Sequence, residues 1–274
     1  MDKMPSPTVT PQWLLQHLDD PDLRILDVRW SLPDGAEEGA YRLGHIPHAV
    51  FCNLDTELAA PPGVAGRHPL PEGEVFAAAM RAHGVSIPSP IVVYDEMTGG
   101  AARAWWLLRA SGHPAVSVLD GGVKGYGRGG GVLTTEVDEP APGNFQATGF
   151  SGWLGKEQIA DGEAAGHLIL DGRAQERFLG APNPLDPRPG HMPHAHSLPW
   201  TELYREGWVR SPTEVRQLLA ESGYRGQPLL AYCGSGVTSA AMLLAFAAAG
   251  IDGGLLYPGS WSEWAQEPGR PVET

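Results

Sequence analysis

The sequence predicts an α/β protein made of two tandem copies of one domain, each a parallel β-sheet with helices on both faces. Three observations predict it. Four stretches recur in the same order at a nearly constant spacing. "RILDVRW" (24–30) matches "LILDGRA" (168–174), and "GHIPHA" (44–49) matches "GHMPHA" (190–195). "IVVYDEMTGGAARAWWLLRASG" (91–112) matches "LLAYCGSGVTSAAMLLAFAAAG" (229–250), and "VLDGGVKGY" (118–126) matches "LLYPGSWSEW" (255–264). An ordered repeat of this length is a duplicated domain rather than a solenoid of small units. Within each copy, short apolar runs alternate with helical stretches, the pattern of a parallel sheet buried on both faces. Between the copies, "TTEVDEPAPGNFQATG" (134–149) is polar, carries two prolines and has no apolar period.

The elements follow in chain order. The first copy spans 8–133. Its apolar runs at 24–28, 91–94 and 116–119 read as strands, and 74–83 and 101–111 as helices. The segment 134–150 reads as a linker. The second copy spans 151–272, with strands expected at 168–170, 229–232 and 254–257 and helices at 212–222 and 239–249.

Composition limits the function. The chain has 274 residues and a formal net charge of −13. That balance offers no basic stripe to displace counterions from phosphate, so nucleic acid is not the expected partner. No apolar run reaches the roughly 18 residues of a membrane span. The stretch "MDKMPSPTVTPQ" lacks the apolar core of a signal peptide. Two cysteines, Cys52 and Cys233, make no disulfide framework and point to a reducing cytoplasm.

Cys233 stands between an expected strand and an expected helix, which Thr238 or Ser239 can cap and Gly250 can end. In a parallel α/β fold that turn lies at the carboxyl edge of the sheet, where ligands bind. Gly234 and Gly236 let the backbone curl so that its N–H groups converge, with a helix N-terminus behind them. A thiol there loses its proton more readily and becomes a nucleophile. The alternative is a small buried core residue. The matching position of the first copy is Asp95, which has no thiol.

"CGSGVTS" (233–239) resembles the active loop of the rhodanese superfamily, in particular its 3-mercaptopyruvate sulfurtransferases. "YPGSWSEW" (257–264) resembles the C-terminal signature of that family. "GHIPHA" and "GHMPHA" resemble its Gly-His-Ile-Pro-Gly-Ala turn, with His48 and His194 in place of the usual glycine. The resemblance implies two rhodanese-like domains, the first catalytically inert and the second carrying Cys233. It implies transfer of sulfane sulfur through a Cys233 persulfide, cradled by Gly234, Gly236, Val237 and Thr238. The related cysteine phosphatases need Cys-x5-Arg, and here the sixth residue after Cys233 is Ser239.

The resemblance also implies a donor site. Thiosulfate users carry cations in the loop, and this loop is uncharged. A mercaptopyruvate carboxylate suits an arginine fork, for which Arg177 and Arg188 are the candidates. Asp55 and His68 of the first copy are expected to form a proton relay with Ser235. No metal or other cofactor is implied. Thiosulfate:cyanide transfer is the alternative enzyme, and a non-catalytic persulfide carrier the alternative outside catalysis. The acceptor is expected to be a thiol such as thioredoxin, or cyanide. His191, His194 and His196 resemble a metal cluster, but the first copy repeats the turn without a third histidine, so a structural turn is preferred. Cys52 reads as packed, and Trp105, Trp106, Trp261 and Trp264 as core.

Overall fold

A computed structural model describes residues 6–274 except 148 and 163. It resolves into two compact units. The first comprises the chain through Ala60, Pro71–Ser151 and Glu206–Trp208; the second comprises Pro61–Leu70, Gly152–Arg205 and Val209–Thr274.

The first unit holds a five-stranded sheet in the order Thr8–Val9, Val116–Leu119, Ile91–Tyr94, Arg24–Asp27, Ala49–Phe51. Every neighbouring pair is parallel. The second holds a four-stranded sheet in the order Leu255–Leu256, Leu229–Tyr232, Leu168–Asp171, His196–Ser197, again all parallel. The four shared strands keep the same order, so the duplication read in the sequence is a duplication of topology. The extra edge strand Thr8–Val9 has a reduced counterpart, a parallel bridge between Trp153 and Leu256. The expected central strands are present. Ile91–Tyr94 and Leu229–Tyr232 are buried along their whole length, which is why they read as unbroken apolar runs. The two- and three-residue edge strands are too short to show a period.

Of the expected helices, Gly73–Ala82, Gly100–Ala110, Pro212–Glu221 and Thr238–Ala248 form within a residue or two of the readings. Pro212–Glu221 starts at a capping box between Ser211 and Glu214. Gly250 follows Thr238–Ala248 at φ 76°, as a left-handed terminator should. The expected cap differs. Thr238 is already the first helical residue, Val237 occupies the cap position, and no side chain caps there. The hydroxyls of Thr238 and Ser239 are thereby left for the cysteine. The expected linker is not a loose connection. Phe145 is fully buried, packs edge-on against Phe76, and its N–H donates to the Val85 carbonyl. With Ala147 also buried and Phe150 packed on Phe76 and Trp106, apolar side chains hold this mostly polar segment to the first unit.

Each copy locks its "GHxPHA" turn with the same buried network. Asp27 and Asp171 end the equivalent strands and take bidentate bonds from Arg29 and Arg173. Each arginine then donates to the turn glycine's carbonyl, Gly44 or Gly190. Tyr94 and Tyr232 accept from the Ile46 and Met192 amides with their hydroxyls. His45 stacks on Tyr41 and His191 on Phe178. His48 and His194 sit at φ 66° and 61°, left-handed values that explain why glycine is usual there. His191 gives Nδ1 to the Phe178 carbonyl within the turn, whereas His196 lies exposed on the edge strand His196–Ser197.

Candidate active site

Cys233 follows directly on Leu229–Tyr232 at the carboxyl end of the second sheet, and the loop 233–237 leads into Thr238–Ala248. It is 2% exposed. Gly236 turns the loop back, donating its N–H to Cys233 Sγ at 3.2 Å. Gly236 has φ 80°, and a Cβ there would lie 2.2 Å from the Pro258 carbonyl oxygen, so only glycine fits.

The "GSWSEW" turn grips both peptide groups of the cysteine. Ser260 Oγ accepts from Cys233 N–H at 3.1 Å and donates to the Tyr257 carbonyl at 2.8 Å. Trp261 N–H donates to the Cys233 carbonyl, and Ser262 N–H to that of Gly234. Ser260 does this at φ 51°, a conformation costly for a residue with a Cβ. Its counterpart in the first copy is Gly122, at φ 58°.

Burial pushes the Cys233 thiol up. The hydroxyls of Ser239 and Thr238 and the amides of Ser235 and Ser239 outweigh that and leave it below the usual thiol range. The Ser239 hydroxyl is buried with no hydrogen-bond partner among the described residues, which leaves it free to serve a thiolate on Cys233. Cys52 behaves oppositely. Full burial and the neighbouring Glu57 carboxylate raise its thiol well above the usual range. One of two cysteines is thus prepared as a nucleophile.

The first copy shows what the loop is built to hold. Asp95 takes the cysteine's place after Ile91–Tyr94, and its carboxylate accepts from the amides of Met97, Thr98, Gly99 and Ala101 at 2.7–3.2 Å. A resident anion fills that nest.

Ser235 meets His68: His68 Nδ1 lies 2.8 Å from Ser235 Oγ, and both are buried. The segment Pro61–Leu70 that carries His68 belongs to the second unit, anchored by Arg67 N–H donating to Ser262 Oγ. Asp55 belongs to the first unit, where its carboxylate accepts from Trp30 Nε1 at 2.9 Å and Ala36 N–H at 2.8 Å.

The two expected arginines part company. Arg177 reaches the loop: a Cβ on Gly234 would lie 3.4 Å from its Nη2. Its Nε and Nη2 are held by Asp186 at 2.9 and 2.6 Å. Arg188 is committed elsewhere, donating to the carbonyls of Ala265, Glu267, Pro268 and Arg270. These bonds tie down the C-terminal segment. The sequence reading also missed Arg67, whose Nη2 would lie 2.8 Å from a Cβ on Gly234. The loop's own residues are uncharged, but two guanidiniums flank it. The signal for Arg67 was its place beside His68 in "GRHPLP". Val237 is buried at the start of the helix that follows the loop.

A parallel α/β unit with a low-pKa cysteine at a strand-to-helix turn, duplicated with an acidic residue in place of the cysteine, defines the class. The rhodanese-like domain pattern matches residues 10–128 and 153–267, and the chain belongs to that family. It is 40% identical to a probable 3-mercaptopyruvate sulfurtransferase of Pseudomonas aeruginosa, covering 97% of each chain. It is 38% identical to the 3-mercaptopyruvate sulfurtransferase of Escherichia coli, covering 95% of each. It is 39% identical to a putative thiosulfate sulfurtransferase, SseB, of Mycobacterium tuberculosis, covering 90% of this chain and 89% of that one. The crystal structure of SseA from Escherichia coli, a 3-mercaptopyruvate enzyme of rhodanese fold, superposes with a TM-score of 0.82. It does so at 36% identity, over 94% of this chain and all of that one.

Proposed function

We propose that the protein is a sulfurtransferase that takes sulfur from 3-mercaptopyruvate and releases pyruvate. The observation that carries this is the pairing of a Cys233 thiol held below its usual range with a Ser235–His68 contact of 2.8 Å in the same loop. The Cys233 thiolate attacks the donor sulfur. The new S–S bond forms as the donor's C–S bond breaks, and the electron pair leaves on carbon as the pyruvate enolate. That enolate needs one proton, and Ser235 hydrogen-bonded to His68 is the group placed to deliver it. Asp55 is assigned as the third member of the relay on the sequence resemblance. The persulfide stays on Cys233, where the amides of the loop and the hydroxyls of Thr238 and Ser239 favour its anion. A thiolate acceptor, such as a thioredoxin thiol, or cyanide, then takes the outer sulfur and restores the thiolate.

Arg177 adds positive charge beside Gly234 for the donor carboxylate. Relatives of similar identity carry different donor names, so overall likeness does not choose the donor. A thiosulfate reading is favoured by the same flanking guanidiniums, since a dianion gains more from them than a monoanion. Steady-state turnover with each donor decides between them. The proposal expects a higher kcat/KM with 3-mercaptopyruvate; a higher value with thiosulfate rejects it. No helix among the described residues is long and apolar enough to cross a membrane. Two unpaired cysteines suit the reducing cytoplasm, where we place the protein.

A further inference from the structure

Three metal-ligating side chains converge inside the first unit, on residues that the sulfur chemistry does not use. Cys52 follows the strand Ala49–Phe51, Glu57 ends the short helix Leu54–Glu57, and His83 caps the carboxyl end of Gly73–Ala82. The Cys52 thiol, a Glu57 carboxylate oxygen and a His83 ring nitrogen all lie within 4.8 Å of one another. Cys52 is wholly buried and His83 nearly so, while Glu57 keeps 25% of its side chain exposed and leaves a way in from solvent. The carboxylate is held in place. Asn53 caps its helix through the Asp55 and Thr56 amides, and the Asn53 N–H donates to Glu57 Oε2 at 2.8 Å. His83 Nε2 reaches the same oxygen, also at 2.8 Å. The buried residues of these two helices, Leu54, Phe76, Ala77 and Met80, are apolar. A thiol that only filled space among them would need neither a carboxylate nor an imidazole beside it.

We infer that Cys52, Glu57 and His83 form a binding site for a divalent transition-metal ion, zinc in the first place, with one coordination position left for water. Sulfur and imidazole nitrogen select such an ion over magnesium or calcium, and one carboxylate completes a three-ligand set. The geometry is within reach. Tetrahedral zinc at ordinary bond lengths sets these ligand atoms roughly 3.3–3.6 Å apart. The His83–Glu57 contact of 2.8 Å need open by only about half an ångström, and no ligand atom starts more than 4.8 Å from another. The charges also balance. A thiolate and a carboxylate cancel the two positive charges of the ion, so a mostly buried site carries no net charge. On binding, the Cys52 thiol proton leaves to solvent, and His83 takes the Nδ1–H tautomer so that Nε2 offers its lone pair. The ion then ties a strand end and two helices together, and it favours the folded state by mass action.

Cobalt(II) is the probe, on the full chain in a Cys233→Ser background that leaves Cys52 as the only thiol. The protein is stripped with a chelator and dialysed against cobalt. It should bind one equivalent, show a thiolate-to-cobalt charge-transfer band, and lose that band when zinc is added. His83→Gln should weaken cobalt binding on the order of 100-fold, and Glu57→Gln by about tenfold or more. Added zinc should raise the thermal midpoint of the Cys233→Ser chain and leave that of the further Cys52→Ser variant unmoved. Serine nearly matches the thiol in size, and glutamine at 83 keeps an N–H for Glu57; circular dichroism checks that both variants fold. If the Cys52 variant does not fold, His83→Gln and Glu57→Gln carry the test. No charge-transfer band after dialysis against excess cobalt overturns the inference. So does cobalt affinity in His83→Gln and Glu57→Gln equal to that of the parent, which would place the ion elsewhere.

Discussion

Ser260→Ala and Ser260→Gly dissect how the cysteine loop is held. The Ser260 hydroxyl is wholly buried, accepts from Cys233 N–H and donates to the Tyr257 carbonyl. Either substitution removes both bonds. Leaving the buried Cys233 N–H without its acceptor costs about 1–3 kcal/mol. The two variants differ in backbone strain, because Ser260 sits at φ 51°. Alanine keeps the left-handed penalty, and glycine sheds roughly 1 kcal/mol of it. Urea unfolding should therefore find Ser260→Ala less stable than wild type by about 1–3 kcal/mol and Ser260→Gly intermediate, about 1 kcal/mol above the alanine variant. Reactivity should not follow that order. Both variants lose the same grip on Cys233, so both should be alkylated about fivefold more slowly, the equivalent of about 1 kcal/mol. Equal stability of the alanine and glycine variants would refute the strain argument. Unchanged alkylation in both would refute the positioning role.

Further outcomes are expected. Alkylation of Cys233 followed against pH should show a midpoint below the roughly 8.5 of a free thiol, and Ser239→Ala should raise it by about one unit. A midpoint at or above the free value would remove the case for a prepared thiolate. Since the folded thiol is the stronger acid, Cys233 adds stability above the unfolded midpoint, and that contribution is lost as pH falls through the folded one. Arg188→Ala should lower stability by on the order of 2–3 kcal/mol in thermal melts, since its guanidinium serves four backbone carbonyls. Arg177→Ala should act mainly on donor kinetics, and a selective 3-mercaptopyruvate defect in a fully stable Arg188→Ala would restore the clamp expected from the sequence.

The duplication, the order of the central strands and the position of Cys233 could be read from residues alone, because each is written in local pattern. Leu229–Tyr232 is apolar throughout because it is buried on both faces, and the glycines after Cys233 mark the turn. The anion nest is local too, as the Asp95 carboxylate shows from the first copy. What stayed hidden depends on contacts distant in sequence. Arg67 and Gly234 are far apart along the chain, and nothing in "GRHPLP" says where its guanidinium ends. Arg188 has the neighbours of a donor clamp in sequence, and nothing local shows that it also bonds the carbonyls of 265–270. Ser260 reads as an ordinary hydroxyl, and only its left-handed backbone and its bond to Cys233 show that it holds the loop. The Asp27–Arg29 and Asp171–Arg173 locks lay in plain view as "DVR" and "DGR", and became meaningful once the turn carbonyls they bind were placed.

The most direct test is intact-protein and peptide mass spectrometry after brief treatment with 3-mercaptopyruvate in the absence of an acceptor. The account predicts the mass of one added sulfur atom on Cys233, its loss on adding a thiol or cyanide, and stoichiometric pyruvate. It predicts the same adduct in Cys52→Ser, and neither adduct nor turnover in Cys233→Ser. Sulfur found on Cys52, or substantial turnover in Cys233→Ser, would contradict it.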